Sequence, residues 1–390
     1  MAHEYYDDET EGTVYRVTPG VDDDDEHMHH GPYGDSDMDT ISSASTQRTA
    51  STITSDEISE YFREAHGRMY PLDENLPLTY PADEIELRRH QMQHVVLKAL
   101  LHGNYVGPVQ HVLRPRADGT RPRILDIRTC CGTWAQEMAT EFPHCDITSV
   151  DIVPITAHVP RPNITFEVYD LYQGVAEEDN SFDYVSCRHV QLAVKEYDRL
   201  LFDLHRVLRP GGLLCVAEVE NHLFEVDHPP YNTFATKSFP KSCIGTQFMR
   251  DAITNQGVDL NAIYHIGDWM RPGSVWWKRM GDKYNIPAER VAQASAGIHP
   301  IHSQVVLMPT GGWHPDPAVA KVGSLTSRLW QLAWTQLVGA IAEGGLGQEE
   351  AKRVCQACIE ETGKADELKI PAVVKYWMWW GFKPGRDTKK

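Results

Sequence analysis

Between Ile124 and Glu218 the chain repeats one pattern. Short apolar runs recur at Ile124–Ile127, Ile147–Asp151, Ile164–Tyr169, Phe182–Cys187 and Leu213–Glu218. Stretches with helical spacing separate some of them, at Thr133–Phe142 and at Asp198–Val207, the latter breaking at Pro210-Gly211-Gly212. Apolar strands alternating with helices predict a mostly parallel, doubly wound α/β sheet covered on both faces. Right-handed crossovers then bring the carboxyl ends of the strands, and any ligand, to one edge.

The flanks read differently. Asp83–Leu101 has helical periodicity, with Ile85, Leu87, Met92, Val95, Val96, Ala99 and Leu100 on the expected apolar face and Gly103 as the expected stop. Order is expected to begin near Ser55-Asp56-Glu57, whose residue types suit a helix start. Downstream, helices are expected at Ser242–Asn255, Ala288–Ala296, Pro317–Ala342 and Gln348–Thr362. Runs at Gln304–Met308 and Ala372–Trp379 fit antiparallel edge strands of the same sheet. The predicted organisation is a tail over 1–57 and one domain over 58–386. Within the domain, 58–120 is an N-terminal helical part and 121–220 the cofactor-binding core. A substrate cap insert spans 221–300, and C-terminal strands and helices fill 301–386.

Charge sharpens that division. The formal net charge is -18, and residues 1–60 hold sixteen acids against two arginines, leaving -4 for the rest. The acidic run Asp22–Glu26 and the Ser/Thr-rich run Thr40–Ser55 cannot bury enough apolar area to offset ordering entropy, so residues 1–57 are expected to be disordered. His27, His29 and His30 lack acids or cysteines at ligand spacing and are read as solvated, so no metal is expected. The rest has no basic stripe, which argues against direct nucleic-acid binding. No apolar run is long enough for a membrane span. Eight cysteines without a paired framework, and no basic, apolar leader, point to the cytoplasm, the nucleus or both.

Candidate chemistry gathers at strand ends. Asp126, Asp151 and Asp170 each close an apolar run, and Asp151 follows Gly132 by nineteen residues. That spacing suits a second-strand acid accepting bonds from ribose hydroxyls, and Asp170 is placed to accept from an exocyclic amine. Taken singly, such acids are helix caps or turn formers. His189, Glu218, Glu220 and His222 offer bases, each weighed against a structural role. Cys355-x-x-Cys358 lies in a helical pattern and reads as buried thiols. Trp269, Trp276-Trp277, Trp330, Trp334 and Trp377-x-Trp379-Trp380 are core or pocket walls, with Trp276-Trp277 a possible lid.

Asp126 to Trp134, Glu137-Met138-Ala139, Val150 to Ile155, Pro162 to Glu167, Asn180 to Tyr184, Arg188-His189 and Leu208 to Gly212 together resemble class I S-adenosylmethionine-dependent methyltransferases. The resemblance is to the fungal LaeA-like, velvet-associated type, and it extends through Gly312 to Pro317 and Tyr376 to Pro384. It implies a Rossmann-like sheet and S-adenosylmethionine as cofactor. By resemblance Asp126 and the turn holding Arg128, Cys130 and Gly132 meet the methionine part. Asp151 with Ile152 meets the ribose side, and Asp170 with Leu171 the adenine. Arg188 and His189 would face the transferred methyl.

The turn departs from that family, which carries glycine where this chain has Arg128 and Cys130. Arg128 must swing out to solvent, pair with the cofactor carboxylate, or fill its space. The reading is a methyltransferase acting on a small metabolite. Its first alternative is a non-catalytic regulatory subunit binding protein partners, and its second an NAD-dependent oxidoreductase, disfavoured by the poor glycine pattern.

Overall fold

A computed structural model describes residues 2–7, 12–17, 57–73, 75–154, 161–171 and 174–385. The strands in chain order are β1 (Ala2–Asp7), β2 (Gly12–Val17), β3 (Phe62–Ala65), β4 (Arg68–Pro71), β5 (Arg123–Ile127) and β6 (Asp146–Asp151). They continue with β7 (Ile164–Tyr169), β8 (Phe182–Arg188), β9 (Leu208–Glu225), β10 (Ile301–Thr310) and β11 (Ala372–Phe382). Nine form one sheet in the order β1-β2-β7-β6-β5-β8-β9-β11-β10, and β3 pairs with β4 in a small hairpin. The five strands β7-β6-β5-β8-β9 run parallel. β11 is antiparallel to both β9 and β10, and β2 is antiparallel to β7. The expected Rossmann-like sheet is present. Its antiparallel β11 lies between two partners, so β10 is the edge on that side.

One part of the N-terminal expectation changes. Within the tail, β1 and β2 pair as a hairpin beside β7. The acidic run, the histidine cluster and Ser55-Asp56 lie outside the described residues. Order from Glu57 begins as a 3-10 turn, Glu57–Tyr61, that leads into β3.

The helices are α1 (Glu84–Leu101), α2 (Val109–Val112), α3 (Thr133–Glu141), α4 (Tyr197–Val207), α5 (Pro240–Asn255) and α6 (Ile266–Trp269). Then come α7 (Val275–Tyr284), α8 (Ala288–Ala294), α9 (Pro317–Gln336), α10 (Val338–Ile341) and α11 (Gln348–Glu367). Asp83 caps α1 by accepting from the Ile85 and Glu86 amides at 3.2 Å. At its other end His102 takes the left-handed conformation, φ 56°, that glycine was expected to supply at 103. The predicted single helix Pro317–Ala342 is broken into α9 and α10 at Leu337.

The face of α1 is the main surprise. Ile85 and Val95 are exposed, at 49% and 54%, while Glu86, Arg89 and His90 are buried with Val96 and Leu97. An apolar-face reading fails because the helix turns its polar side toward the carboxyl edge of the sheet.

Two apolar layers cover the sheet. One packs α2 and α3, through Val109, Trp134 and Met138, on Ile124, Ile147 and Tyr184. The other packs α4, α6 and α7 on Leu125, Val150, Val185 and Val216. Trp276 and Trp277 belong to this second layer at 1% exposure each. The Trp277 ring lies 4.9 Å from His205, and its indole N–H donates to the Arg271 carbonyl at 2.9 Å. The insert 221–300 therefore serves largely as sheet cover. Its aromatic and aliphatic residues gain more from the sheet face than from solvent, so Trp276-Trp277 is not a lid. Among the described residues no helix is long and apolar enough to cross a membrane.

Trp277→Ala is expected to cost about 3–5 kcal/mol of stability, measured as the shift in urea midpoint at unchanged slope. A loss under about 1 kcal/mol would return Trp277 to a surface role.

Candidate functional site

The site begins at the turn between β5 and α3. Arg128, Cys130 and Gly132 all have positive φ, at 70°, 53° and 69°. Two side-chain-bearing residues thus adopt the backbone that glycine takes most easily. The end of β6 holds them there. The amides of Arg128 and Thr129 both donate to the Val150 carbonyl, at 2.8 and 3.0 Å. The Cys130 amide donates to Asp151 Oδ2 at 2.7 Å, and Asp151 Oδ1 accepts from the Ile152 amide at 2.7 Å. Gly132 opens α3 as its cap.

The strand-end acids differ in their access to the clefts. Asp151 lines a cleft with Ile152 and Cys130, roofed by Tyr80, Glu86 and His90. Asp126 is sealed beneath the turn, 1% exposed, where Oδ2 accepts from the Ser149 hydroxyl at 2.8 Å and Oδ1 faces Arg188 at 3.8 Å. Burial pushes its carboxyl up to about 6, against the opposing pull of Arg188 and Ser149. Asp170 follows β7, and Leu171 is packed in the apolar core; neither lines the clefts described.

Arg188 and His189 part company as well, because His189 lies just past the end of β8 where the backbone turns left-handed. The Arg188 guanidinium lies 4.4 Å over the Trp134 ring and lines a separate cleft with His94, Tyr184 and Tyr376. His189, with φ 58°, turns into a second cleft that adjoins that of Asp151. Gln93, Arg89, Arg128 and Glu218 share its polar end, and Met308, Leu329, Trp330 and Ala333 form an apolar wall. Tyr80, Arg128 and Leu192 border both clefts. Across that junction the Arg128 guanidinium donates to the His189 carbonyl, bridging the ends of β5 and β8.

Titration behaviour fits a dry cleft. Burial, reinforced by Arg188 and Arg128, holds the His189 imidazole well below its usual range, so it is neutral. Its Nδ1 faces the Gln93 amide nitrogen at 3.1 Å and its ring stacks on Tyr376, while Nε2 is buried with no hydrogen-bond partner among the described residues. Burial pushes Glu218 up to about 7, although Tyr197 and the Val190 and Gln191 amides all donate to its Oε1. Glu220 is committed elsewhere, accepting from Tyr264 and Trp377 at 2.6 and 2.8 Å. His222 is stacked on Phe234 and lowered to about 4 by burial. Burial also raises the Cys130, Cys355 and Cys358 thiols, so none is a ready nucleophile.

Tyr80, Arg89 and Gln93 are site residues that sequence reasoning missed. A signal existed in Glu86, Arg89, His90 and Gln93, a polar stripe at helical spacing on α1. From the insert only Asn221 reaches the second cleft, while α1 and α9 supply the cover assigned to 221–300.

Residues 87–253 match the family described as a methyltransferase domain. The chain is similar to the secondary metabolism regulator laeA of Coprinopsis cinerea, 28% identical over 215 residues that make up 54% of this chain and 52% of that protein. Methyltransferase pytC of Aspergillus terreus is 26% identical over 333 residues, 81% of this chain and 90% of the enzyme. Among solved structures, phosphoethanolamine N-methyltransferase 2 of Haemonchus contortus in complex with S-adenosyl-L-methionine aligns at TM-score 0.36 and 17% identity. That alignment covers 76% of this chain and 57% of the solved one. The chain spans about half the length of the first of these relatives.

Asp126 titrates from 3.8 in the unfolded chain to about 6 in the fold, so the folded state binds the extra proton between those values. Its contribution to stability is present below pH 4 and lost as pH rises through 6, by at most about 3 kcal/mol. Asp126→Asn removes this dependence. The stability of the variant relative to the parent should rise between pH 4 and 6.5, read from denaturant melts. A pH-independent difference would contradict the buried, raised carboxyl.

Proposed function

We propose that this chain, whose residues 87–253 match a methyltransferase domain, transfers a methyl group from S-adenosylmethionine to a small, largely apolar molecule. The observation that carries the reading is the pair of clefts meeting at Arg128 on the carboxyl edge of the parallel strands. The residues present fit the cofactor. The turn keeps its positive-φ backbone, and a carboxylate stands at the end of β6 with both oxygens already oriented by backbone amides.

In this reading Asp151 accepts from the ribose hydroxyls with the lone pairs its amide donors leave over. Ile152 covers the nucleoside side, and Cys130 forms the floor. When bound, S-adenosylmethionine supplies an electrophilic methyl on a sulfonium. Transfer of such a methyl is an in-line displacement that depends chiefly on positioning. The wall of Trp330, Met308 and Leu329 holds the carbon body of the acceptor, and the polar end orients its nucleophilic atom. Glu218, titrating near neutrality, takes the proton of a hydroxyl acceptor. His189, neutral with an unpartnered Nε2, orients that hydroxyl. Between Glu218 and Glu220 on β9, Glu218 is the better base, since Glu220 has both oxygens engaged.

A regulatory, non-catalytic reading has one observation in its favour: the Arg128 side chain spans the junction where the two clefts meet. The name of the Coprinopsis relative points the same way for that protein.

Isothermal titration separates the readings. S-adenosylmethionine and S-adenosylhomocysteine should bind saturably and NAD should not. Asp151→Ala should weaken both nucleosides at least tenfold. No binding of either nucleoside would favour the regulatory reading, and binding of NAD alone would favour an oxidoreductase. The carboxyl carbon of Glu218, followed by NMR in the glutamate-labelled protein and assigned by Glu218→Gln, should titrate near pH 7. A value near 4.5 would remove Glu218 as the base.

A further inference from the structure

Arg128 stands where a turn of this shape would be simplest with glycine, yet its side chain is not in bulk solvent and, among the described residues, makes no ion pair within 4 Å, the Asp151 carboxylate acting on it only from farther off. It is half-buried in the wall that both clefts share. The guanidinium has five N–H donors, and the described residues give it a single hydrogen bond, to the His189 carbonyl. The contrast with Arg89, in the same cleft, is direct. Arg89 is neutralised by Glu86 through two hydrogen bonds of 2.8 and 2.7 Å. The carboxylates nearest to Arg128 in character do not do the same. Asp151 is oriented toward the Cys130 and Ile152 amides, and Glu218 toward Tyr197 and two further amides. The unspent nitrogens are not among the fully buried ones, so four donors face the clefts, where an anion can meet them.

We propose that Arg128 binds the carboxylate of a ligand at the junction of the two clefts. A planar guanidinium with parallel donors matches a carboxylate in geometry and in its single charge. A phosphate would call for further cationic donors, and the other guanidinium of the cleft is already spent on Glu86. The apolar wall beyond the junction suits a ligand whose remainder is carbon. Two ligands carry such a group. One is the amino-acid end of S-adenosylmethionine or S-adenosylhomocysteine, which rests on the function proposed above. The other is a small apolar carboxylic acid in the second cleft, which does not.

The test uses titration calorimetry on the full chain, its Arg128→Gln variant and its Arg128→Lys variant, each checked for an unchanged thermal midpoint. The nucleoside arm compares S-adenosylhomocysteine with 5′-methylthioadenosine, which lacks the amino-acid end. If the carboxylate is the nucleoside's, Arg128→Gln weakens S-adenosylhomocysteine roughly ten- to hundredfold, Arg128→Lys less, and 5′-methylthioadenosine not at all. The acid arm compares 4-phenylbutyrate with 4-phenylbutyramide. If the carboxylate is the substrate's, only the acid binds the parent and Arg128→Gln abolishes it. Failure of both nucleosides on the parent would sink the cofactor reading while the acid arm still decides on Arg128. The proposal is overturned if Arg128→Gln leaves every carboxylate unaffected, or if it tightens S-adenosylhomocysteine, which would make Arg128 a plug.

Discussion

Everything at this site depends on forcing the chain after β5 through three positive φ angles in five residues. Glycine does this freely, but Arg128 and Cys130 each pay roughly 1–2 kcal/mol for it. The compensation comes from β6: two amides on the Val150 carbonyl and one on the Asp151 carboxylate. The charge-assisted bond to Asp151 is the stronger of these contributions. On the proposed function the acid that would receive a ribose is therefore also the clamp that holds the turn. The same contact links the ends of two neighbouring parallel strands.

A second constraint follows from covering that edge. α1 lays Glu86, Arg89 and His90 over the clefts rather than an apolar face, and burying those charges is tolerable only because they satisfy one another. Burial holds the His90 imidazole down to about 4, and although burial alone would raise Glu86, the Arg89 charge with the hydrogen bonds of Arg89 and His90 brings it to about 2. The roof is thus a neutralised pair beside a neutral imidazole, while Arg128 has no ion pair within 4 Å among the described residues. The dry surroundings that raise Glu218 toward neutrality have the same origin.

Much of the fold was legible because parallel strands buried on both faces read as unbroken apolar runs. Ile124–Ile127, Ile147–Asp151 and Phe182–Cys187 could hardly be anything else. β9 was read too short, since Pro210-Gly211-Gly212 looks like an end, yet it sits within the strand where pairing with β8 shifts register. The site was only partly legible. Strand-end position anticipated that Asp151 lines a cleft but not that Asp126 is sealed beneath the turn, because it gives the end of a strand and not the direction of its side chain. Arg89 and Gln93 escaped because a polar helical stripe is normally the solvated one. Only tertiary packing reverses that expectation, and the sheet edge that α1 covers is assembled from residues far along the chain. The Trp-rich insert misled for the opposite reason: aromatic density in a Pro/Gly-rich segment suggested a lid, but the rings pack on the sheet.

The central claim is that the altered turn preserves a nucleoside site whose floor is a glycine-like backbone and whose acid is Asp151. A crystal structure of the full chain grown with S-adenosylhomocysteine tests it most directly. The account predicts positive φ at Arg128 and Cys130, with the ribose hydroxyls on the Asp151 carboxylate. An extended turn, or a nucleoside bound away from Asp151, would contradict it.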